Sequence, residues 1–156
     1  MAEPYVVFQV AGSDYAVRSQ EVQQVAMLEN LTPVPNAPEF IDGVAYLRGQ
    51  VIPVINLRKR FHLETIPYDM RSRLLVVHLD DRILGMAVDM AREFISIQEE
   101  EILPTPESLS GPGLEYLRGV VSRQERLILI VKLQDLLAVQ EKANLKAAFV
   151  DQDSPD

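Results

Sequence analysis

A tetrapeptide occurs twice in this chain, as Tyr46-Leu47-Arg48-Gly49 and as Tyr116-Leu117-Arg118-Gly119, 70 residues apart in a total of 156. Four matching positions carry little weight alone, but the flanks extend the likeness. Apolar, strand-like runs follow both copies, Val51 to Leu57 and Leu127 to Leu133. Upstream, Val7-Phe8-Gln9-Val10 before a Gly12-Ser13-Asp14 turn is echoed by Val76-Val77-His78-Leu79 before Asp80-Asp81-Arg82. Pro33-Val34-Pro35 has a parallel in Pro104-Thr105-Pro106. Two similar units in tandem are expected, and a duplicated scaffold favours binding over catalysis. The offset grows from 70 at the tetrapeptide to 76 at the strand after it. The second hairpin should therefore be six residues longer than the first.

Composition narrows the function. Fifteen Lys and Arg stand against 23 Asp and Glu, a formal charge of −8. That sign repels phosphate backbones and anionic lipid, so neither a nucleic-acid partner nor direct membrane insertion is expected. Arg58-Lys59-Arg60, the densest basic run, reads as a solvated helix face. With no cysteine, disulfides, thiolate nucleophiles and zinc–thiolate sites are excluded. No apolar run approaches the ~20 residues that span a bilayer, and a reducing cytoplasm is the expected setting. At 47% apolar residues the chain can bury a core, as one domain or two closely joined subdomains.

Local patterns predict short strands. Tyr5 to Val10 and Tyr15 to Val17 form a hairpin. Ser19 is a candidate cap for a turn through Glu21. After it Val22, Val25 and Leu28 suit either a helical turn or a strand. Pro33, Pro35 and Pro38 mark a loop. Val44 to Leu47 and Val51 to Ile55 form a second hairpin around Arg48-Gly49-Gln50, and Pro53 predicts a sheet edge or a bulge there. Asn56 caps a short helix from Leu57 to Phe61. A second unit starts near Arg73, with strands over Leu75 to Leu79, Ile83 to Val88 and Phe94 to Ile97. Glu99-Glu100-Glu101 opens a helical turn. Pro104, Pro106, Gly111, Pro112 and Gly113 form a loop. Tyr116 to Val121 pairs with Leu127 to Val131 around residues 122–126. An amphipathic helix begins at Gln134 and runs to about Lys146, within a helical region of 134–149. Residues 150–156 form an acidic, frayed tail. About ten short strands in two sets make a mainly β chain of two small barrels.

Catalytic candidates are few. His62 and His78 are the two imidazoles, and neither has a cysteine nucleophile. His78 with Asp80 and Asp81 resembles a metal cluster or a small hydrolase site. The simpler reading is a strand residue before a polar turn. Glu99 to Glu101 read as solvation rather than a glycosidase pair. No phosphate loop or nucleophile elbow occurs. Arg48 and Arg118 each precede a glycine. Either could clamp its hairpin by reaching back to a carboxylate or carbonyl, and Arg48 could equally pair with a partner's acid.

Several segments run in a familiar order: Tyr5-Val6-Val7-Phe8, Tyr15-Ala16-Val17, Glu21-Val22-Gln23-Gln24-Val25, Pro33-Val34-Pro35 and Phe40-Ile41-Asp42-Gly43-Val44. Leu47-Arg48-Gly49, Val51-Ile52-Pro53-Val54-Ile55-Asn56-Leu57 and Gly85-Met86-Ala87-Val88-Asp89 complete the series. Across residues 4–140 the chain resembles the CheW family of chemotaxis adaptors. The resemblance implies two SH3-like five-stranded barrels, a groove between them, and no catalysis or cofactor. Subdomain one would span about 15–70 and subdomain two about 71–135, with the N-terminal strand shared. It also implies two partners: the regulatory domain of a CheA-type histidine kinase, and the cytoplasmic tip of a chemoreceptor seated in the groove. Such an adaptor works in arrays on the inner face of the membrane. An adaptor of a chemotaxis-like pathway controlling pili, gliding or development is the alternative. Arg48 and Gly49 match the family's Arg-Gly signature, and Val22, Gln24 and Val25 fall in its kinase- and receptor-contacting segment. Val51, Ile52 and Val54 complete the expected binding set. Tyr46 stands where the family usually has Asn. Gln24 stands where it often has Glu, so a Glu–Arg pair to Arg48 is unavailable. These departures bear on partner identity.

Overall fold

The computed structural model describes residues 2–79, 81–106 and 114–136. Ten strands dominate it: β1 (Ala2–Val10), β2 (Ser13–Arg18), β3 (Val22–Met27), β4 (Ile41–Leu47) and β5 (Gln50–Asn56), then β6 (Arg73–Leu79), β7 (Arg82–Val88), β8 (Met90–Gln98), β9 (Leu117–Arg123) and β10 (Arg126–Val131). One α-helix, α1 (Leu57–Arg60), follows β5, and short 3-10 turns occupy Ser19–Glu21, Glu99–Glu101, Leu114–Tyr116 and Leu133–Asp135. Val22 to Met27 is thus a strand, which resolves the ambiguity left by its spacing. The 3-10 turn before it is preceded by Arg18 and lacks a side-chain cap, so Ser19 does not cap it. The expected C-terminal helix beyond Leu136 and the acidic tail lie outside the described residues.

The strands form two five-stranded sheets, ordered β8-β1-β2-β10-β9 (sheet A) and β3-β6-β7-β5-β4 (sheet B). The sequence units are real, but they are interleaved rather than side by side. The β1–β2 hairpin of the first half joins β8, β9 and β10 of the second, and β6–β7 of the second half joins β3, β4 and β5 of the first. A boundary near residue 71 therefore cuts through sheet B, and each sheet is completed by the other half. Matching pairings confirm the equivalence. Val54 lies parallel to Gly85, as Ile130 lies parallel to Ala16. Thr32 bridges Val44 across the outer edge of β4, as Leu103 bridges Val120 across that of β9.

These pairs also correct the register of the repeat. Val44 matches Val120 and Val54 matches Ile130, a constant spacing of 76. Asn56 donates to the Phe40 carbonyl at 2.8 Å, and Lys132 to that of Tyr116 at 2.8 Å, again 76 apart. The true counterpart of Tyr116-Leu117-Arg118-Gly119 is Phe40-Ile41-Asp42-Gly43. The twin tetrapeptides occupy different places, since Arg48-Gly49 is a turn and Arg118-Gly119 lies within β9. Both hairpins have two-residue loops, Arg48-Gly49 and Gln124-Glu125, so the second is not longer. All four of these residues have positive φ, as do Ala11 and Gly12. That geometry matches the right-handed twist of the flanking strands.

Pro53 lies inside sheet B, between β7 and β4, and not on an edge. Val44 exchanges both backbone hydrogen bonds with Thr32, so it faces away from Pro53, and Pro53 turns its nitrogen toward β7. The ladder with β7 begins only at Val54. The missing donor falls one residue outside that ladder and is not needed.

Alternation along the strands sorts side chains into three cores. Tyr5, Val7, Val121, Ile128 and Ile130 fill sheet A's concave side, while Ile52, Val54, Leu74 and Val76 fill that of sheet B. The largest core lies between the sheets and takes Val6, Phe8, Tyr15, Val17, Ile55, Leu75, Val77, Met86, Val131 and Leu133. A ring stack, Phe8–Tyr15–Phe61–Tyr116, crosses it with centroids 5.2–5.9 Å apart. Arg60 lies between the Phe40 and Tyr116 rings, at 4.5 and 4.9 Å. The Asn56 side chain accepts from the Lys59 amide and starts α1. His62 ends it in a left-handed conformation, with Leu63 donating to Arg58 and His62 to Lys59.

Gly43 and Gly119 let the bridging strands approach. A Cβ at Gly119 would stand 2.5 Å from the Leu103 carbonyl oxygen, and one at Gly43 would press into that of Thr32. At Gly49 the space is open. Gly43→Ala and Gly119→Ala should each lower stability by at least about 2 kcal/mol, and Gly49→Ala by about 1 kcal/mol. Urea denaturation of the three variants measures the ranking.

Candidate docking site

The residues expected to bind partners divide by the in–out alternation of their strands. On β3, Val25 is exposed, and Val22 and Gln24 are half-buried. Arg48 and Gly49 are exposed at the β4–β5 turn, and Val51 beside them is 53% accessible. Ile52 and Val54 are 3% and 0% accessible and belong to sheet B's own core. Val54 is sealed in that core and leaves the binding set, whereas Ile52 reaches the surface only as the floor of the hollow below. Val54→Ala should cost about 2 kcal/mol in thermal or urea denaturation, and Val51→Ala less than about 0.5 kcal/mol.

The structure gathers Gln24 and Arg48 into one shallow hollow with Gln23, Leu47, Gln50 and Val76, floored by Ile52. Sequence reasoning missed Gln23, Leu47 and Gln50. They follow only once β3 is known to lie across the concave side from the β4–β5 turn. Beside the hollow, Tyr46 pairs with Val51 across the hairpin, and Tyr46 is 73% exposed. Arg48 makes no ion pair or side-chain hydrogen bond among the described residues. It does not clamp its hairpin, since the two-residue turn is set by backbone conformation. Arg118 does not clamp its hairpin either, because its partners lie outside it: it donates to the Tyr5 hydroxyl of β1 at 3.3 Å and pairs with Glu99, tying β9 to other elements.

The equivalent hollow in sheet A is chemically different. The strand pairings match Gln24 with Glu93 and Gln23 with the bulged Arg92. The spacing of 76 matches Gln50 with Arg126 and Leu47 with Arg123. Arg126 bonds Glu93 and Asp14, each at 3.0 Å, and Arg123 forks onto both oxygens of Glu101 at 2.9 Å. These pairs staple β8 and the turn after it to β9 and β10. Sheet B has glutamines or leucine at the corresponding positions, with Arg48 alone carrying charge. One copy of the hollow is crossed by ion pairs, although one buried Arg126 nitrogen has no partner, and the other is neutral apart from Arg48, unpaired among the described residues.

Arg123 foremost, then the Gln98 amide, holds the Glu101 carboxyl down at about 2. Its folded value lies below the unfolded one, so the contribution is present above the ordinary carboxylate range. It disappears as pH falls from about 4.3 toward 2. An NMR titration of Glu101 should show a midpoint near 2 that rises in Arg123→Gln but stays below the ordinary carboxylate value of about 4.3, because the Gln98 amide still donates.

The catalytic candidates do not converge. His78 points to solvent on β6, Asp81 is exposed, and Asp80 lies outside the described residues. His62 is the exposed residue that ends α1. Among the described residues no group of three or more His, Asp or Glu could hold a metal ion. Two carboxylates are engaged structurally. Burial pushes Asp42 up, but hydrogen bonds from Lys59, Tyr68 and Asn56 outweigh it and hold the group below its usual range. Asp89 is likewise opposed by burial and lowered by Arg58 and the Ala11 amide.

Two interleaved five-stranded sheets around a shared core define a β scaffold of the SH3-like kind. The family model for the CheW-like domain matches residues 4–141, and the chain belongs to that family. It is 33% identical over 150 residues to the chemotaxis protein CheW of Bacillus subtilis, covering 96% of this chain and 94% of that protein. It is 32% identical over 120 residues to protein FrzA of Myxococcus xanthus, covering 76% and 74%. The crystal structure of the scaffolding protein TtCheW from Thermoanaerobacter tengcongensis superposes with a TM-score of 0.82 at 33% identity, over 90% of this chain and 91% of that one.

Proposed function

We propose that the chain is a non-catalytic adaptor coupling a CheA-type histidine kinase, through its regulatory domain, to the cytoplasmic tips of chemoreceptors at arrays on the inner face of the membrane. The observation that carries docking is the contrast between the two equivalent hollows. Sheet A's copy pairs its charges internally, whereas sheet B's copy presents Arg48, unpaired among the described residues, at the turn that also carries the exposed Tyr46 and Val51. An unpaired arginine next to apolar and aromatic groups is the usual make-up of an interface anchor. Family membership supports the kinase and receptor as the partners. No helix among the described residues is long and apolar enough to cross a membrane, so attachment to an array would come through those partners.

A second reading is an adaptor for a chemotaxis-like pathway controlling pili, gliding or development. The likeness to FrzA, a relative whose name does not include chemotaxis, favours keeping it. Both readings use the same fold and hollow, and co-purification of the native kinase separates them.

Arg48→Asn tests the contact directly. Asn accepts left-handed backbone readily, so the turn survives while the charge is lost. Affinity for a cognate kinase regulatory domain or receptor tip should fall about ten- to a hundredfold, with an unchanged Tm. Failure of the native protein to bind any cognate kinase domain or receptor tip would overturn the adaptor reading.

A further inference from the structure

Among the described residues, the chain passes between the sheets at two places, related by the internal repeat. It leaves sheet A through Ser19–Glu21, between β2 and β3, and returns at Asp89, between β7 and β8. Among the described residues the two crossings are secured unequally.

At the second crossing, Asp89 joins three elements. Its amide donates to the Gln9 carbonyl at 2.9 Å, and its carboxylate accepts from the Ala11 amide at 2.7 Å, both at the β1–β2 turn of sheet A. The same carboxylate takes a two-pronged pair from Arg58 of α1, which follows sheet B, at 3.0 and 2.6 Å. Arg58 also donates to the Glu64 carbonyl at 2.9 Å and holds the connection to β6. Side-chain accessibilities of 15% for Arg58 and 29% for Asp89 shield the pair from much of the solvent. Forked, charge-assisted geometry of this sort fixes direction as well as distance.

At the first crossing, Gln20 occupies the place of Asp89, and Gln134 that of Arg58. Neither glutamine makes a side-chain hydrogen bond among the described residues. Gln134 lines a hollow with Tyr5, Arg18, Glu21, Arg118 and Lys132. The counterpart hollow, at Asn56, Arg58, Ala87 and Met90, is roofed by Ile66, Pro67 and Tyr68, with the Tyr68 hydroxyl bonded to Asp42. Between the crossings, among the described residues, the sheets meet through the shared apolar core and through one directional contact, Arg60 of α1 donating to the Leu136 carbonyl after β10. Arg60 and Leu136 are themselves equivalent positions of the repeat, so this bond favours neither crossing, and the apolar remainder is non-directional.

We propose that the Asp89–Arg58 pair is a one-sided lock that sets the angle between the two sheets, and that relative motion of the sheets pivots there and opens at the Gln20–Gln134 side. The lock would thereby fix how the open hollow on sheet B is presented relative to sheet A. This goes beyond the adaptor reading, and its test requires no partner.

The native chain has no cysteine, so Asp81→Cys on sheet B and Glu125→Cys on sheet A give a clean pair for spin labelling. Pulsed electron spin resonance should return a narrow distance distribution in the full chain. Asp89→Asn keeps an acceptor for Ala11 but loses the pair, and should broaden that distribution about twofold. Adding Gln20→Asp with Gln134→Arg builds a second lock at the other crossing, and should narrow it again. Should Asp89→Asn not fold, Arg58→Gln removes the same pair from the other side. A lowered Tm with an unchanged distribution, or no narrowing by the second lock, would overturn the proposal.

Discussion

The shared apolar core between the sheets is the constraint from which the rest of the molecule follows. Strands contribute to it through one set of alternate residues, such as Val6 and Phe8 on β1 or Leu75 and Val77 on β6. Their other residues face the concave side of their own sheet. Because hairpins are exchanged between the halves, neither sheet can be completed without both. Two halves that complete each other's sheets and share this core should fold and unfold as a unit.

Duplication then allows divergence. Corresponding positions share backbone pairing but not chemistry: Asp42 and Arg118 occupy the same bulge in β4 and β9 with opposite charge. Asp42 gathers Asn56, Lys59 and Tyr68, while Arg118 gathers Tyr5 and Glu99. The same freedom filled one hollow with ion pairs and left the other open. It also tied down one crossing between the sheets and left its twin with two glutamines. An adaptor needs unlike faces on a rigid body, and a duplicated fold supplies the rigid body while substitutions supply the difference.

Much of the local structure was legible in the residues. Period-two alternation located the strands, Asn56 announced the helix start, and Glu99-Glu100-Glu101 marked the acidic turn. Reading the repeat through its twin tetrapeptides misled. Identity at four positions outweighed a gapless alignment in which Phe40 matches Tyr116 and Asp42 matches Arg118. Those pairs look unrelated as letters, yet they share the same bulge and the same bridge. Pro53 misled for a similar reason, because only the end of the β7 ladder shows that its missing donor is not needed.

The sequence by itself determined that this is a duplicated, cysteine-free, strand-rich chain of the CheW kind, with Arg48-Gly49 at a tight turn. Strand periodicity, turn residues and composition are local properties, and they survive without any knowledge of neighbours. Only the tertiary structure decided which half completes which sheet, since either pairing buries the same apolar pattern. It also decided that Ile52 and Val54 are core while Val51 and Arg48 face outward, and that Arg48 is unpaired among the described residues. Those outcomes depend on which strands lie opposite one another, and long-range pairing of that kind is not written in any single segment.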